Sequence, residues 1–210
     1  MSFIILAGGR SSRLGEDKCS LILAGEGLLQ RVIKPLEQLG DEIILVLSPG
    51  QLEPPSLSRA KVRIAFDLLP GKGPLIGIYS GLKASKDPRS LVVGCDMPFL
   101  NTGLLDYLIQ LSPGFELVIP RIEDKVEPLH AVYSKTCLSA IEYLFQRGIF
   151  KVSALLDLVK VRYVEQNEID KFDPEHLSFF NINTQSDLKK AEQIIKQEVF
   201  LSGLSRGSLR

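Results

Sequence analysis

The chain is predicted to be a three-layer α/β/α protein with a mostly parallel sheet and an antiparallel strand. Three observations predict it. Short apolar runs, rich in β-branched residues, alternate with segments of helical periodicity. Those runs have strand length and are far too short to span a membrane. Four of them end in small or polar residues, as strands do when they meet at one rim of a parallel sheet.

Residues 3–7 form a buried strand. Residues 28–39 place Leu28, Leu29, Val32, Ile33, Leu36 and Leu39 on one helical face, with Pro35 inside and Gly40 as the stop. Residues 42–47 form the second strand, closed by the Ser48-Pro49-Gly50 turn. Residues 51–59 carry Pro54 and Pro55 and read as an irregular connection. Residues 62–66 form a third strand, 75–84 a helix that tolerates glycine, and 91–95 a fourth strand. Residues 103–111 form a helix capped by Asn101 or Thr102. Residues 116–119 form a further strand, and 126–133 is read as pairing antiparallel near it. A helix is expected over 134–147, and late strands over 160–164 and 177–182. The terminal helix, 184–197, has Thr184 as cap and Asp187 three residues on, close to a capping box. Residues 1–200 form one domain, and the Ser-, Gly- and Arg-rich stretch 201–210 reads as a mobile tail.

Composition removes whole classes of function. Among 210 residues, 25 Lys and Arg balance 25 Asp and Glu, which argues against a dedicated nucleic-acid binder. Cys19, Cys95 and Cys137 have neither the number nor the spacing of a disulfide framework or a zinc site. With only His130 and His176, any metal should be hard and oxygen-bound. The amino terminus lacks the pattern of a signal peptide, so a cytoplasmic location is expected.

The polar residues at the strand ends are the candidates for chemistry. The first strand runs into Leu6-Ala7-Gly8-Gly9-Arg10-Ser11-Ser12-Arg13-Leu14-Gly15-Glu16-Asp17-Lys18. Glycines let the backbone approach a phosphate closely, and Arg10, Arg13 and Lys18 add positive charge. The string is neither a Walker A loop nor a Rossmann fingerprint. Its plain alternative is a solvated basic turn. Asp96, after the fourth strand, is either a turn former or a Mg²⁺ ligand facing the phosphate loop. Asp67 precedes a glycine-rich segment, 68–77, that is either a simple connection or a loop feeding a helix N-terminus. Cys95 points to the core by strand alternation, and His130 lies in an apolar run as a structural residue. Asn181 and Asn183 either cap the last helix or reach the same crevice.

These residues resemble a family. Leu-Ala-Gly-Gly-x-Ser-x-Arg-Leu-Gly-x-Asp-Lys at 6–18 resembles the signature of MobA-like molybdenum cofactor guanylyltransferases. So do Gly73-Pro74-Leu75-Ile76-Gly77, Cys95-Asp96-Met97-Pro98-Phe99, Pro128-Leu129-His130-Ala131-Val132-Tyr133 and Phe180-Asn181-Ile182-Asn183-Thr184, in the family's order. The resemblance implies GMP transfer from GTP to molybdenum-bound molybdopterin, with release of pyrophosphate. It implies that Leu6, Ala7, Gly8 and Gly9 hold the nucleotide, that Arg13 and Lys18 face phosphate, and that Asp67 helps hold GTP. Asp96 would bind both GTP and Mg²⁺. Catalytic roles fall to Arg13, Lys18 and Asp96. It leaves a place for proteins that deliver or accept the cofactor, and none for nucleic acid or membrane. Leu14 stands where the family usually has Met, and Ser48 where it often has Asn. The same residues would also serve cytidylyl transfer, a sugar or isoprenoid phosphate acceptor, or a GTP-binding regulator without catalysis.

Overall fold

The computed structural model describes residues 1–7, 18–40, 42–54, 62–69 and 71–207. The chain opens with β1 (Ser2–Leu6), buried at every position, as a central strand covered on both faces must be. After a 3₁₀ turn at Lys18–Ser20 come β2 (Ile22–Leu23) and β3 (Glu26–Gly27), an antiparallel hairpin. It closes through Ala24 and Gly25, both at positive φ (49° and 82°), the conformation of a type I′ hairpin turn. Then come α1 (Leu28–Glu37), β4 (Glu42–Leu47), β5 (Val62–Phe66), α2 (Pro74–Ala84), β6 (Arg89–Gly94) and α3 (Thr102–Leu111). The second half contains β7 (Leu117–Ile122), β8 (Lys125–Val126), β9 (His130–Ser134), α4 (Cys137–Gln146) and α5 (Ser153–Leu156). It ends with β10 (Val161–Glu165), α6 (Gln166–Ile169) and α7 (Gln185–Gly207).

Among the described residues, the main sheet has eight strands in the order β10-β7-β9-β6-β1-β4-β5, with β8 on the edge of β7. All pairings are parallel except those of β9 and β8. Because β9 is antiparallel to both neighbours, β7 and β10 run the same way as β6. Six strands therefore point their carboxyl ends at one rim.

Alternation along each strand separates two cores. Phe3, Ile5, Ile43, Leu45, Leu91 and Val93 pack with Leu29, Val32 and Leu36 of α1 and Leu104, Leu105 and Leu108 of α3. Ile4, Leu6, Ile44, Val46 and Val92 pack on the other face with Leu75, Ile78 and Leu82 of α2 and Ile141 and Leu144 of α4. The expected three-layer α/β fold is borne out.

Two local expectations fare differently. The terminal helix has the capping box: Asp187 N–H donates to Thr184 Oγ1 at 3.2 Å, and Thr184 N–H donates to Asp187 Oδ2 at 2.8 Å. The helix continues to Gly207, into the stretch read as a tail. By contrast, the strand expected over 177–182 is not formed. Asp173 accepts the Leu177 and Ser178 N–H groups at 3.0 and 2.8 Å, and the chain coils into a single 3₁₀ turn, Leu177–Phe179. The apolar side chains that suggested a strand are covered by packing instead, Ile182 fully and Leu177, Phe179 and Phe180 in part. Phe179 lies against His130, and Phe180 against Phe99.

A third apolar cluster joins the two ends of the chain. Leu21, Leu23 and Leu28 pack against Ile182 and Ala191, with Phe99 and Leu188 around them. It holds the carboxyl-terminal segment onto the hairpin region just past Lys18.

Candidate active site

From β1 the chain goes to β4 and β5 on one side, then returns to β6 on the other. The connections part at the carboxyl end of β1, where such sheets open a crevice. A cavity of about 940 Å³ lies there, lined among others by Leu6, Ala7, Lys18, Ser48, Asp67, Gly73, Pro74 and Asp96. The four strand ends singled out in the sequence thus meet.

Asp96 stands two residues past β6. Gly94 makes room for it, because a Cβ at that position would lie 2.6 Å from Asp96 Oδ1. The Asp96 backbone carbonyl accepts the Ile182 N–H at 2.9 Å. Its carboxylate receives Lys18 Nζ at 2.7 Å, and Lys18 also donates to Asn183 Oδ1 at 2.6 Å. An ammonium has three hydrogens, and these two bonds, the ones it makes among the described residues, use two of them. Cys19 follows Lys18 and Cys95 precedes Asp96 in sequence; their thiols, neither in a disulfide, are hydrogen-bonded to each other. That contact, together with burial, pushes the Cys95 thiol well up, which suits a core residue and not a nucleophile.

Asp67 leaves β5 with its N–H on the Leu47 carbonyl at 2.8 Å. Burial pushes its carboxyl up from the ordinary carboxylate value, while bonds from the Ser80 hydroxyl and the Leu69 and Leu68 amides pull the other way. Next to it, α2 starts at the cavity. Gly73 caps it at φ 103°, Pro74 takes the first position, and no acidic residue occupies the first turn. The positive end of the helix dipole therefore meets the cavity unopposed.

Gln51 and Ser80 were not legible as site residues, and Asn183 was legible only as one of two alternatives, a helix cap or a member of the crevice. Asn183 reaches Lys18 across 165 positions only because the third apolar cluster docks its segment there. Asn181 does not share that place, since it donates to the Phe179 carbonyl at 2.9 Å. Gln51 accepts the Ser48 N–H at 3.1 Å and donates to the Ala7 carbonyl at 3.3 Å, tying the ends of β1 and β4 together. It sits in the proline-bearing stretch that reads as mere connection. Ser80 is hidden on α2. The expected residues Gly8, Gly9, Arg10 and Arg13 lie outside the described residues. His130, as expected, is structural. It is fully buried in β9, and burial pushes its imidazole down to about 3.

Among the described residues, no three His, Cys, Asp or Glu side chains group to hold a metal alone. Asp96 brings a hard oxygen donor to the cavity. A single carboxylate suits a cation that completes its shell with phosphate oxygens and water. Among the same residues no helix is long and apolar enough to cross a membrane.

A lysine, two carboxylates and a helix N-terminus around one cavity suit an enzyme that moves a nucleotidyl group. Comparison with known proteins agrees. Residues 3–162 match the MobA-like NTP transferase domain, and the chain belongs to that family of nucleotidyltransferases. A Methanosarcina mazei protein named "Probable molybdenum cofactor guanylyltransferase" is 41% identical over 209 residues, covering 95% of this chain and 93% of that protein. A Desulfosudis oleivorans molybdenum cofactor guanylyltransferase is 32% identical over 195 residues, covering 92% and 95%. The crystal structure of molybdopterin-guanine dinucleotide biosynthesis protein A from Archaeoglobus fulgidus superposes with a TM-score of 0.81 at 30% identity, covering 94% of this chain and all of that one. The family implies a divalent metal.

Proposed function

We propose that this chain transfers GMP from GTP to molybdenum-bound molybdopterin and releases pyrophosphate. The observation that carries the reading is the Lys18–Asp96 pair, set at the crevice beside β1 and lining the same cavity as Asp67. At about 940 Å³ the cavity is at the upper end of small-molecule sites, room for a nucleotide and part of a second substrate.

In this reading the Leu6 and Ala7 backbone, with Gly8 and Gly9, holds the nucleotide, and Asp67 helps fix it. Lys18 turns its remaining hydrogen, and Arg13 its guanidinium, to phosphate oxygens. Asn183 keeps the Lys18 ammonium in place. The phosphate oxygen of the pterin attacks the α-phosphorus in line. The bond between the α-phosphorus and the bridging oxygen breaks, and its electron pair leaves with pyrophosphate. The nucleophile is already anionic, so no general base is needed, in keeping with a site where the buried His130 lies in the core. Asp96 would hold the divalent cation, which we assign as Mg²⁺ and which would neutralise charge on the triphosphate. Proteins that deliver the pterin or accept the finished cofactor, and a cytoplasmic location, belong to the same reading.

The test is pyrophosphate release with Mg²⁺ and each of the four nucleoside triphosphates, with and without molybdenum-loaded molybdopterin. Release from GTP that requires the pterin is expected. Release from CTP instead would move the protein to the cytidylyl reaction, and pterin-independent release would overturn the acceptor.

A further inference from the structure

Ser80 lies on α2, buried at 3% exposure, one turn beyond Gly77. Its hydroxyl accepts the Leu68 N–H at 3.1 Å. It stands 2.9 Å from the Ile76 carbonyl and 3.3 Å from Asp67 Oδ1. A hydroxyl has one hydrogen, so these two acceptors compete for it. Toward Ile76 it makes the back-bond usual for serine inside a helix. Toward an ionised Asp67 it makes a charge-assisted bond, the stronger kind. Among the described residues, Ser80 is the one side chain bonded to Asp67, whose other partners are the Leu69 and Leu68 amides.

The helix that carries Ser80 cannot move aside. Gly77 and Gly81 face β1 so closely that a Cβ would lie 3.2 Å from Leu6 Cδ1 and 2.5 Å from Ile4 Cγ2. The strand that opens the nucleotide loop, the helix and the carboxylate therefore form one rigid unit.

We propose that Ser80 is a positioning residue of the reaction, its buried hydroxyl fixing the Asp67 carboxylate toward the nucleotide. This rests on the proposed function, in which Asp67 holds GTP. The hydroxyl also acts on charge. Burial raises the Asp67 carboxyl and the Ser80 bond opposes the rise, so loss of the hydroxyl sends it higher. Among the described residues no charged side chain contributes to that balance, and Lys18, Cys95 and Asp96 are the other titratable side chains lining the cavity.

The test is kcat and KM for GTP, with Mg²⁺ and molybdenum-loaded molybdopterin, from acid to neutral pH. Ser80→Ala should lose on the order of tenfold in kcat/KM, mostly through KM. Its acid limb should move to higher pH. Ser80→Thr keeps the hydroxyl and should recover both. On an Asp67→Asn background Ser80→Ala should add little. Unchanged kcat/KM would overturn the proposal. So would a loss equal at every pH that adds in full to Asp67→Asn and accompanies a lowered melting temperature. Failure of the guanylyl reading shows elsewhere, in wild-type protein that releases no pyrophosphate from GTP. The same series is then read with the triphosphate that wild type does use, or by calorimetric GTP affinity if it turns over none.

Discussion

Asp96→Asn is expected to lower kcat by about 10²- to 10³-fold, the cost of removing one preorganised charge-stabilising group. The substitution keeps size and removes charge. The fold should survive it, because the backbone bond from Ile182 to the Asp96 carbonyl stays and the side chain meets the cavity and not the core. Lys18 also keeps Asn183 as a partner. Steady-state kinetics and urea unfolding on the same preparation check both halves. Near-wild-type turnover would sink the assignment of Asp96. A large fall in unfolding midpoint would mean that the ion pair supports the fold and not the chemistry.

The second large effect is on stability, and it comes from His130. The imidazole is fully buried against Phe179, and among the described residues neither ring nitrogen has a hydrogen-bond partner. Its value in the folded chain is about 3, against about 6.5 when unfolded. Between those values the unfolded chain binds the extra proton, so stability falls as pH falls. By pH 5 the loss should reach about 2 kcal/mol, from about 1.4 kcal/mol per pH unit. His130→Leu removes the titrating group and two unpaired polar atoms, so it should be nearly neutral at pH 7 and less acid-sensitive. Urea unfolding of both proteins at pH 7 and pH 5 measures the difference. Parallel losses in the two proteins would contradict the burial argument.

How much of the molecule was legible in its sequence depends on the range of each interaction. The parallel sheet was readable because a strand buried on both faces is written as a continuous apolar run, as in 3–7 and 42–47. The rim was readable because parallel strands share their carboxyl ends, so Ala7, Ser48, Asp67 and Asp96 had to converge. The run at 177–182 misled because apolar content alone does not distinguish pairing from packing. The signal that could have corrected it was Asp173, placed to accept the amides that a strand would need. Asn183 could be placed on a face but not beside Lys18, because that contact depends on how α7 docks on the residues after β1. Gln51 and Ser80 act through backbone groups and a neighbouring carboxylate, which leave no spacing signature.

The central claim is that a nucleotidyl group, and not a phosphoryl group, leaves GTP for a pterin phosphate. The most direct measurement is transfer of label from α-labelled and γ-labelled GTP to molybdenum-loaded molybdopterin. The account predicts α-label in the pterin product and γ-label only in pyrophosphate. γ-label in the pterin, or no label in it while GTP is consumed, would contradict it.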